Sequence, residues 1–444
     1  MHILIIGNGI AGITAARNIR KHSTHPITVI SAESDYFFSR TALMYVYMGH
    51  MRWKDIIPYE PWFWKKNKIN LVNDYVTRLD DQTKTIYTAS GKEIEYDTLI
   101  LATGSSSNRL DVQGADLDGV ASLYSLQDLE YIESKSANIS RSVIAGGGLI
   151  GIELAEMLHS RNIPVTLLVR ESSYSNMILP AEESEIVNRE IRDHGIDLRL
   201  SEDVYEINGD SEGRVKSVTT CKGEEIPCQL AGITIGVQPN ISWLMGSNIE
   251  VNKGILVDEF LQTNIPGIYA IGDCAELRNP TTGRKAIEPL WYTGRMMGET
   301  VAQTVCGTAV AYHPGIWFNS AKFFATEYQV YGEINPSLPY GQHTLYWQHP
   351  EFKKSIRINY TEHSVIGFNL MGIRFRHEVC EKWISTKTNI ESVLAHLELA
   401  HFDHEFSPNY ANQVRDAYRS LTGIPIKPAE RRSYNRVYSF LKNL

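Results

Sequence analysis

Cysteine is scarce in this sequence, and none of it is spaced for paired chemistry. Cys221, Cys228, Cys274, Cys306 and Cys380 form no CxxC and no CxxxxC pair, which excludes a neighbouring-cysteine redox motif. Only Cys221 and Cys228 can face each other, across a hairpin around Lys222-Gly223-Glu224-Glu225. In a reducing cytosol they are expected as free thiols, like the other three. Long apolar runs are also absent. None approaches the roughly 20 residues that a membrane-spanning helix needs. Nor is there an excess of positive charge: 43 Lys and Arg stand against 51 Asp and Glu, for a net charge of −8. That balance argues against nucleic acid as the main partner, because phosphate binding needs a basic face. The first apolar strand begins at His2, leaving no room for a leader before it, so the chain is read as cytoplasmic.

What is present is ordinary globular composition, with 43% hydrophobic and 21% charged residues over 444 positions. That length suits two or three domains. Two glycine fingerprints stand out, each between an apolar strand and an amphipathic run. The first is Gly7-Asn8-Gly9-Ile10-Ala11-Gly12, after the strand at 2–6 and opening a helix at 10–22. The second is Gly146-Gly147-Gly148-Leu149-Ile150-Gly151, after Ser142-Val143-Ile144-Ala145 and opening a helix at 149–161. Strands at 27–31 and 165–169 complete two βαβ units. In each fingerprint the first glycine permits a tight turn, the second lets backbone approach a pyrophosphate, and the third lets helix and strand pack closely. The amides of the first helical turn then face the phosphates. Glu33 closes the second strand, where a carboxylate can bind an adenosine ribose. Further on, Ile271-Gly272-Asp273 ends a strand with a carboxylate suited to a ribityl hydroxyl.

Two stretches of similar shape mark crossings between domains: Tyr96 to Gly104, followed by polar residues to Asn108, and Ala231 to Asn240, which contains Gly236. From about His313 the pattern changes to short strands at 322–324, 329–331, 344–347 and 355–360. Helices near 374–386, 389–400 and 410–421 follow. The expected class is α/β: two Rossmann-like dinucleotide-binding domains, one inserted in the other, plus a C-terminal α+β domain. The boundaries are 1–108 with 241–312 for the first domain, 109–240 for the second, and 313–444 for the third. The third ends in a basic tail of Lys427, Arg431, Arg432, Arg436 and Lys442. This tail is a solvated end or a docking segment. Trp53, Tyr59, Trp62, Phe63 and Trp64 read as helix core, with a lid as the alternative. His396, His401 and His404 match no strong metal motif, and no metal is assigned.

Together the two fingerprints, Ala102-Thr103-Gly104 and Gly272-Asp273 resemble, in order, the pyridine nucleotide-disulfide oxidoreductase superfamily. The resemblance is strong over about 1–310 and loose beyond. It implies FAD at the first fingerprint and NAD or NADP at the second. FAD contacts are expected from Gly7, Gly9, Ile10, Ala11, Gly12, Glu33, Ser39, Arg40, Ala102, Thr103, Gly104, Gly272 and Asp273. Pro289 is expected at the first position of a helix whose positive end faces the flavin, with Leu290 and Trp291 beside it. Nicotinamide dinucleotide contacts are expected from Gly146, Gly148, Leu149, Ile150, Gly151 and Gly236. Nucleotide preference stays open, since Arg170 stands where an acid would select NADH and Glu171 follows it. Glu153 matches a family glutamate near nicotinamide and flavin. Tyr45 stands where cysteine-free reductases often place a Lys partner for that glutamate.

The segment Tyr36 to Tyr45 lacks the redox cysteine of disulfide reductases. It resembles instead ferredoxin and rubredoxin reductases and the flavoprotein part of nitrite reductase. The implied activity is hydride transfer from NAD(P)H to flavin, then electron transfer to an external acceptor. That acceptor is expected to be a small electron-carrier protein. Two alternatives stay open, a quinone or oxygen reductase at a membrane surface and a non-catalytic flavoprotein partner. A homodimer through the third domain is also compatible.

Overall fold

The structure, a computed structural model, describes residues 1–429. The arginines at 431, 432 and 436 and Lys442 of the basic tail lie outside the described residues. The chain divides into two compact units: Met1–Leu168 with Glu202–Pro314, and Val169–Ser201 with the chain from Gly315 onward.

Two large parallel sheets organise the first unit. In one, the strand Ile3–Ile6 lies between Ile27–Ser31 and Thr98–Leu101, with Ile69–Asn73 and Ile268–Ala270 at the edges. All four residues of Ile3–Ile6 are buried. Such unbroken Ile and Leu runs are what a strand covered on both faces requires. The helix Ile10–His22 follows the first fingerprint and ends in Arg20, Lys21 and His22, which complement its negative C-terminal end. It packs along the helix Trp291–Val305, where a side chain on Gly298 would meet the Ala11 carbonyl oxygen at 2.6 Å. In the other sheet the order within this unit is Val165–Val169, Ser142–Ala145, Leu230–Ile233 and Val120–Ala121. The helix Leu149–Ser160 follows its fingerprint, and the helix Leu126–Ser136 opens with a capping box of Ser125 and Asp128. The two crossing segments pair with each other: Ser105–Ser107 runs antiparallel to Val237–Pro239.

Three expectations need correction here. The helix after Glu288 begins at Trp291 with Leu290 as its extended cap (φ −129°), so Pro289 precedes the helix rather than opening it. The aromatic cluster is not all core. Trp64 is 3% exposed but Trp62 is 58% exposed, and Trp53 sits on a separate 3-10 turn against Phe38. The segment read as one helix at 389–400 is a helix at Ile390–Ala395 and a 3-10 turn at Leu397–Ala400.

The second unit is built on a five-stranded antiparallel sheet in the order Phe318–Phe323, Thr326–Gly332, Val365–Met371, Ser355–Tyr360 and His343–Gln348. Alternation along its central strands gives it two unlike faces. Ile356, Ile358, Phe368 and Leu370 join a core with Trp383, Val393, Leu394 and Val414 from the helices His377–Ser385, Ile390–Ala395 and Ala411–Thr422. Ser355, Arg357, Asn359 and Asn369 alternate with them and are also buried. Arg357 meets the helix Ala181–Asp193, donating to Glu183 at 2.7 and 2.8 Å and to Glu182 at 2.7 Å. Removing one partner of a buried pair strands the other charge. Glu183 is fully buried and Arg357 is 6% exposed at its side chain. Arg357→Ala is therefore expected to cost about 3–5 kcal/mol in denaturant unfolding. The double variant Arg357→Met/Glu183→Leu is expected to recover most of that loss.

Candidate functional site

A cleft of about 1750 Å³ opens in the first unit. The first fingerprint forms one wall. Gly7 turns with φ +111°, and a Cβ there would stand 2.0 Å from the Ala102 carbonyl oxygen. Only glycine allows both the left-handed turn and that approach. Gly9 lines the same wall, with nothing within 4 Å of a Cβ position. The helix that follows has no side-chain cap and no acidic residue in its first turn. Its leading amides are thus suited to an anion.

Four other segments of the lining carry residues singled out from the sequence. Glu33 and Arg40 come from the turn after Ile27–Ser31. Ala102, Thr103 and Gly104 follow Thr98–Leu101. Gly272 and Asp273 follow Ile268–Ala270, and Pro289, Leu290 and Trp291 lead into the last helix of the unit. Arg40 donates to the Glu33 carboxylate at 2.7 Å with a second, shorter contact to the same group, and to the Tyr124 carbonyl at 2.6 Å. Its guanidinium lies 4.7 Å from the centre of the Tyr124 ring and 5.4 Å from that of Phe38. Burial opposes the Arg40 charge, but the Glu33 pairing outweighs it and the pKa is raised. Glu33 also accepts the Leu126 amide at 3.0 Å. The carboxylate read as a ribose ligand is thus already engaged by Arg40 and by the start of the helix Leu126–Ser136.

Asp273 accepts hydrogen bonds from the Ser105 hydroxyl at 3.1 Å and the Tyr124 hydroxyl at 3.4 Å. Burial raises its pKa, against the lowering effect of Ser105, Arg40 and Tyr124. Burial, with the Asp273 charge, pushes the Tyr124 phenol up to about 12, so it remains a donor at neutral pH. Ser105 and Tyr124 were not singled out from sequence. Their only local signals were the polar run after Gly104 and the Ser125-x-x-Asp128 capping box beside Tyr124.

The remaining candidates lie off this lining. Gly12 packs on the Gly7 carbonyl, where a Cβ would stand at 2.0 Å. Ser39 caps a short 3-10 turn at Arg40–Ala42. The second fingerprint repeats the geometry: Gly146 turns with φ +136°, and its Cβ would meet the Thr234 carbonyl oxygen at 2.3 Å. The helix it opens, carrying Leu149, Ile150 and Gly151, likewise has no side-chain cap on Gly148 and no acid in its first turn. Gly236 accepts the Asn108 amide at 3.0 Å. Arg170 and Glu171 belong to the second unit, where they pair with each other at 3.1 Å. Tyr45 and Glu153 sit on the mutually packed helices Leu43–Tyr47 and Leu149–Ser160, and Tyr45 stacks on His50. Burial, and then the nearby Glu156, raise the Glu153 carboxyl to about 7. His401 meets the Ser407 carbonyl at 3.0 Å and lies beside the His404 ring.

Two helix starts without a side-chain cap, each following a glycine turn that another carbonyl approaches, define a dinucleotide-binding architecture. The pyridine nucleotide-disulphide oxidoreductase family model matches residues 1–298, and the chain belongs to that family. The chain is 30% identical over 312 residues to rubredoxin-NAD(+) reductase of Ectopseudomonas oleovorans, covering 70% of this chain and 81% of that one. It is 31% identical to rhodocoxin reductase of Rhodococcus erythropolis, covering 73% and 76%. Against nitrite reductase [NAD(P)H] of Bacillus subtilis (strain 168) it is 30% identical but spans only 41% of that longer protein. Among solved structures, the ferredoxin reductase for the CYP199A2 system from Rhodopseudomonas palustris superposes with TM-score 0.76 at 25% identity, covering 84% of this chain and 91% of that one. The NAD-dependent persulfide reductase from A. fulgidus shares the fold across 95% of this chain and 84% of its own, with TM-score 0.82 at 22% identity. The protein is an FAD-dependent NAD(P)H oxidoreductase without a redox-active disulphide, for all five cysteines are free.

The first cleft fits the dinucleotide this family uses. Its wall carries the amides of a helix start without a side-chain cap and a glycine where a side chain would intrude. Glu153 sets a pH dependence that can be measured. Its folded pKa of about 7 exceeds the ordinary 4.5, so between these values the folded state holds a proton that the unfolded state has released. Stability therefore falls as pH rises through this window and levels off above it. Glu153→Gln is expected to remove that slope, read as the difference between the two proteins' urea-unfolding free energies at pH 5, 6, 7 and 8. Parallel curves would exclude it.

Proposed function

We propose that this protein passes electrons from NAD(P)H, through FAD, directly to an external one-electron carrier of the ferredoxin or rubredoxin kind. The observation that carries this reading is a dinucleotide cleft in a family member whose five cysteines all lie unpaired, which leaves no internal disulphide to receive the electrons. Relatives named for rubredoxin, rhodocoxin and ferredoxin support the choice of acceptor. Bound FAD supplies the chemistry: it takes a hydride and releases electrons one at a time.

Gly7, Gly9 and Gly12 shape the pyrophosphate cradle, with the amides of Ile10 and Ala11 as donors. Glu33 serves the adenosine ribose, and Arg40, steadied by Ser39's turn, balances phosphate charge. Ala102, Thr103 and Gly104 form the floor, and Gly272 and Asp273 hold the ribityl chain. Pro289, Leu290 and Trp291 border the ring, where the start of the following helix favours negative charge by roughly 0.3–1 kcal/mol.

For the nicotinamide dinucleotide, Gly146, Gly148, Leu149, Ile150 and Gly151 form the phosphate turn, with Gly236 as neighbouring backbone. Arg170 and Glu171 decide between NADPH and NADH. Glu153, its carboxyl raised to about 7 by burial, orients the carboxamide, as a hydrogen-bond donor in its protonated form, with Tyr45 close to the ring in place of the usual Lys. The domains follow the sequence boundaries: 1–108 with 241–312 for FAD, 109–240 for NAD(P) and 313–444 for docking or dimer contact. A cytoplasmic setting accords with the absence, among the described residues, of a helix able to cross a membrane.

Anaerobic stopped-flow reduction with NADH and NADPH separately, followed by addition of rubredoxin- and ferredoxin-type acceptors, tests the reading. Bleaching of the bound flavin, then reoxidation by an acceptor faster than by dioxygen, is the expected result. A flavin that stays oxidised with excess of both nucleotides sinks it. Glu171→Ala is expected to raise KM for NADH about tenfold with little change for NADPH, and Arg170→Ala to do the reverse.

A further inference from the structure

The helix Leu149–Ser160 is held at both ends by quite different means. At its start the fingerprint glycines press on neighbouring backbone, with Gly146 against Thr234 and Gly151 against Gly146. At its end the capping residue Arg161 reaches the helix Leu43–Tyr47. One Arg161 guanidinium nitrogen donates to the Tyr47 carbonyl at 2.6 Å, and the group stacks over the Tyr47 ring at 3.7 Å. The same guanidinium grips Glu133 through two bonds of 2.9 and 2.6 Å. Tyr47 is 2% exposed, and its hydroxyl meets Ser136 Oγ at 2.6 Å. Ser136 in turn donates to the Ile132 carbonyl at 2.7 Å, so the Tyr47 hydroxyl is the donor to Ser136.

Three helices thus meet at one arginine. Leu43–Tyr47 directly follows the turn that carries Arg40 and Thr41 on the cleft wall. Leu126–Ser136 begins at the amide that Glu33 accepts. Leu149–Ser160 carries the second fingerprint's first turn and Glu153. An exposed Arg–Glu pair alone contributes little. Here the arginine also caps a helix C-terminal carbonyl and stacks on a buried ring, which makes its geometry specific.

We propose that Arg161 is a positioning residue for hydride transfer: by clamping the far end of Leu149–Ser160 to Leu43–Tyr47, it sets the approach of the second fingerprint's turn, and of Glu153, towards the first cleft. This rests on the functional reading above. The helix is about 18 Å long at 1.5 Å per residue, so loosening one end displaces the other. A misplacement of about 1 Å can cost up to a hundredfold in rate.

The test uses FAD-loaded wild type, Arg161→Ala and Arg161→Lys. In Arg161→Ala the limiting rate of flavin reduction at saturating nucleotide is expected to fall about tenfold or more, with FAD affinity unchanged. Hydrogen–deuterium exchange is expected to quicken at residues 43–47 and 149–153. Arg161→Lys keeps the charge and is expected to recover part of both. If Arg161→Ala does not fold, Glu133→Gln removes only the charge partner that steadies the same guanidinium and is expected to move exchange at 149–153 in the same direction. Exchange unchanged at 149–153, or a limiting rate within about twofold of wild type with only KM raised, overturns the proposal. If wild-type flavin is reduced by neither nucleotide, the functional reading falls instead, and the exchange measurement alone decides the clamp.

Discussion

The closeness of the Ala102 carbonyl to the Gly7 backbone is the constraint on which the cleft depends. Strands Ile3–Ile6 and Thr98–Leu101 are parallel neighbours, so the turns leaving them emerge side by side. With any larger residue at position 7, the two turns would be forced apart. Their approach brings the fingerprint beside Ala102-Thr103-Gly104. The strand Ile268–Ala270, on the other side of Thr98–Leu101, delivers Asp273 to the same end. Three chain segments far apart in sequence therefore open onto one cleft because they end neighbouring strands of one parallel sheet, where ligands of such sheets are bound.

Much of this was legible in the sequence, for a physical reason. Glycine turns, β-branched strand runs and the start of an amphipathic helix are local signals, and the strands at 27–31, 142–145 and 165–169 fell where they were read. Polar contacts across long separations carry no such signal. Ser105 reaches Asp273, Arg40 reaches the Tyr124 carbonyl, and Arg357 reaches Glu183, each pairing set by tertiary packing alone. The strand Val365–Met371 escaped notice because glycine and asparagine interrupt its apolar pattern. Pro289 misled because a proline before an amphipathic run is a good helix start, yet here Leu290 holds the extended cap.

The second unit shows how a sheet with one polar face can be kept buried. Its apolar face is covered in the ordinary way by three helices. Its other face carries Arg357 between Thr344 and Asn369 on adjoining strands, and meets the glutamates of Ala181–Asp193. A salt bridge of this kind is poor as a source of stability but good as a source of register, since a helix shifted by one residue would leave a charge alone in a dry interior.

The free thiols have a practical side. Cys228, Cys274 and Cys380 are buried and Cys306 is partly covered, whereas Cys221 stands exposed at the turn between the strands Val215–Thr220 and Glu225–Pro227. Burial also raises the thiol pKa of the three covered cysteines and of Cys306, holding them in the unreactive protonated form. The natural sequence thus carries a single ready attachment point for a dye or spin label, placed on a hairpin away from the cleft lining, from which motions of the nucleotide-binding unit can be followed without engineering any other cysteine away.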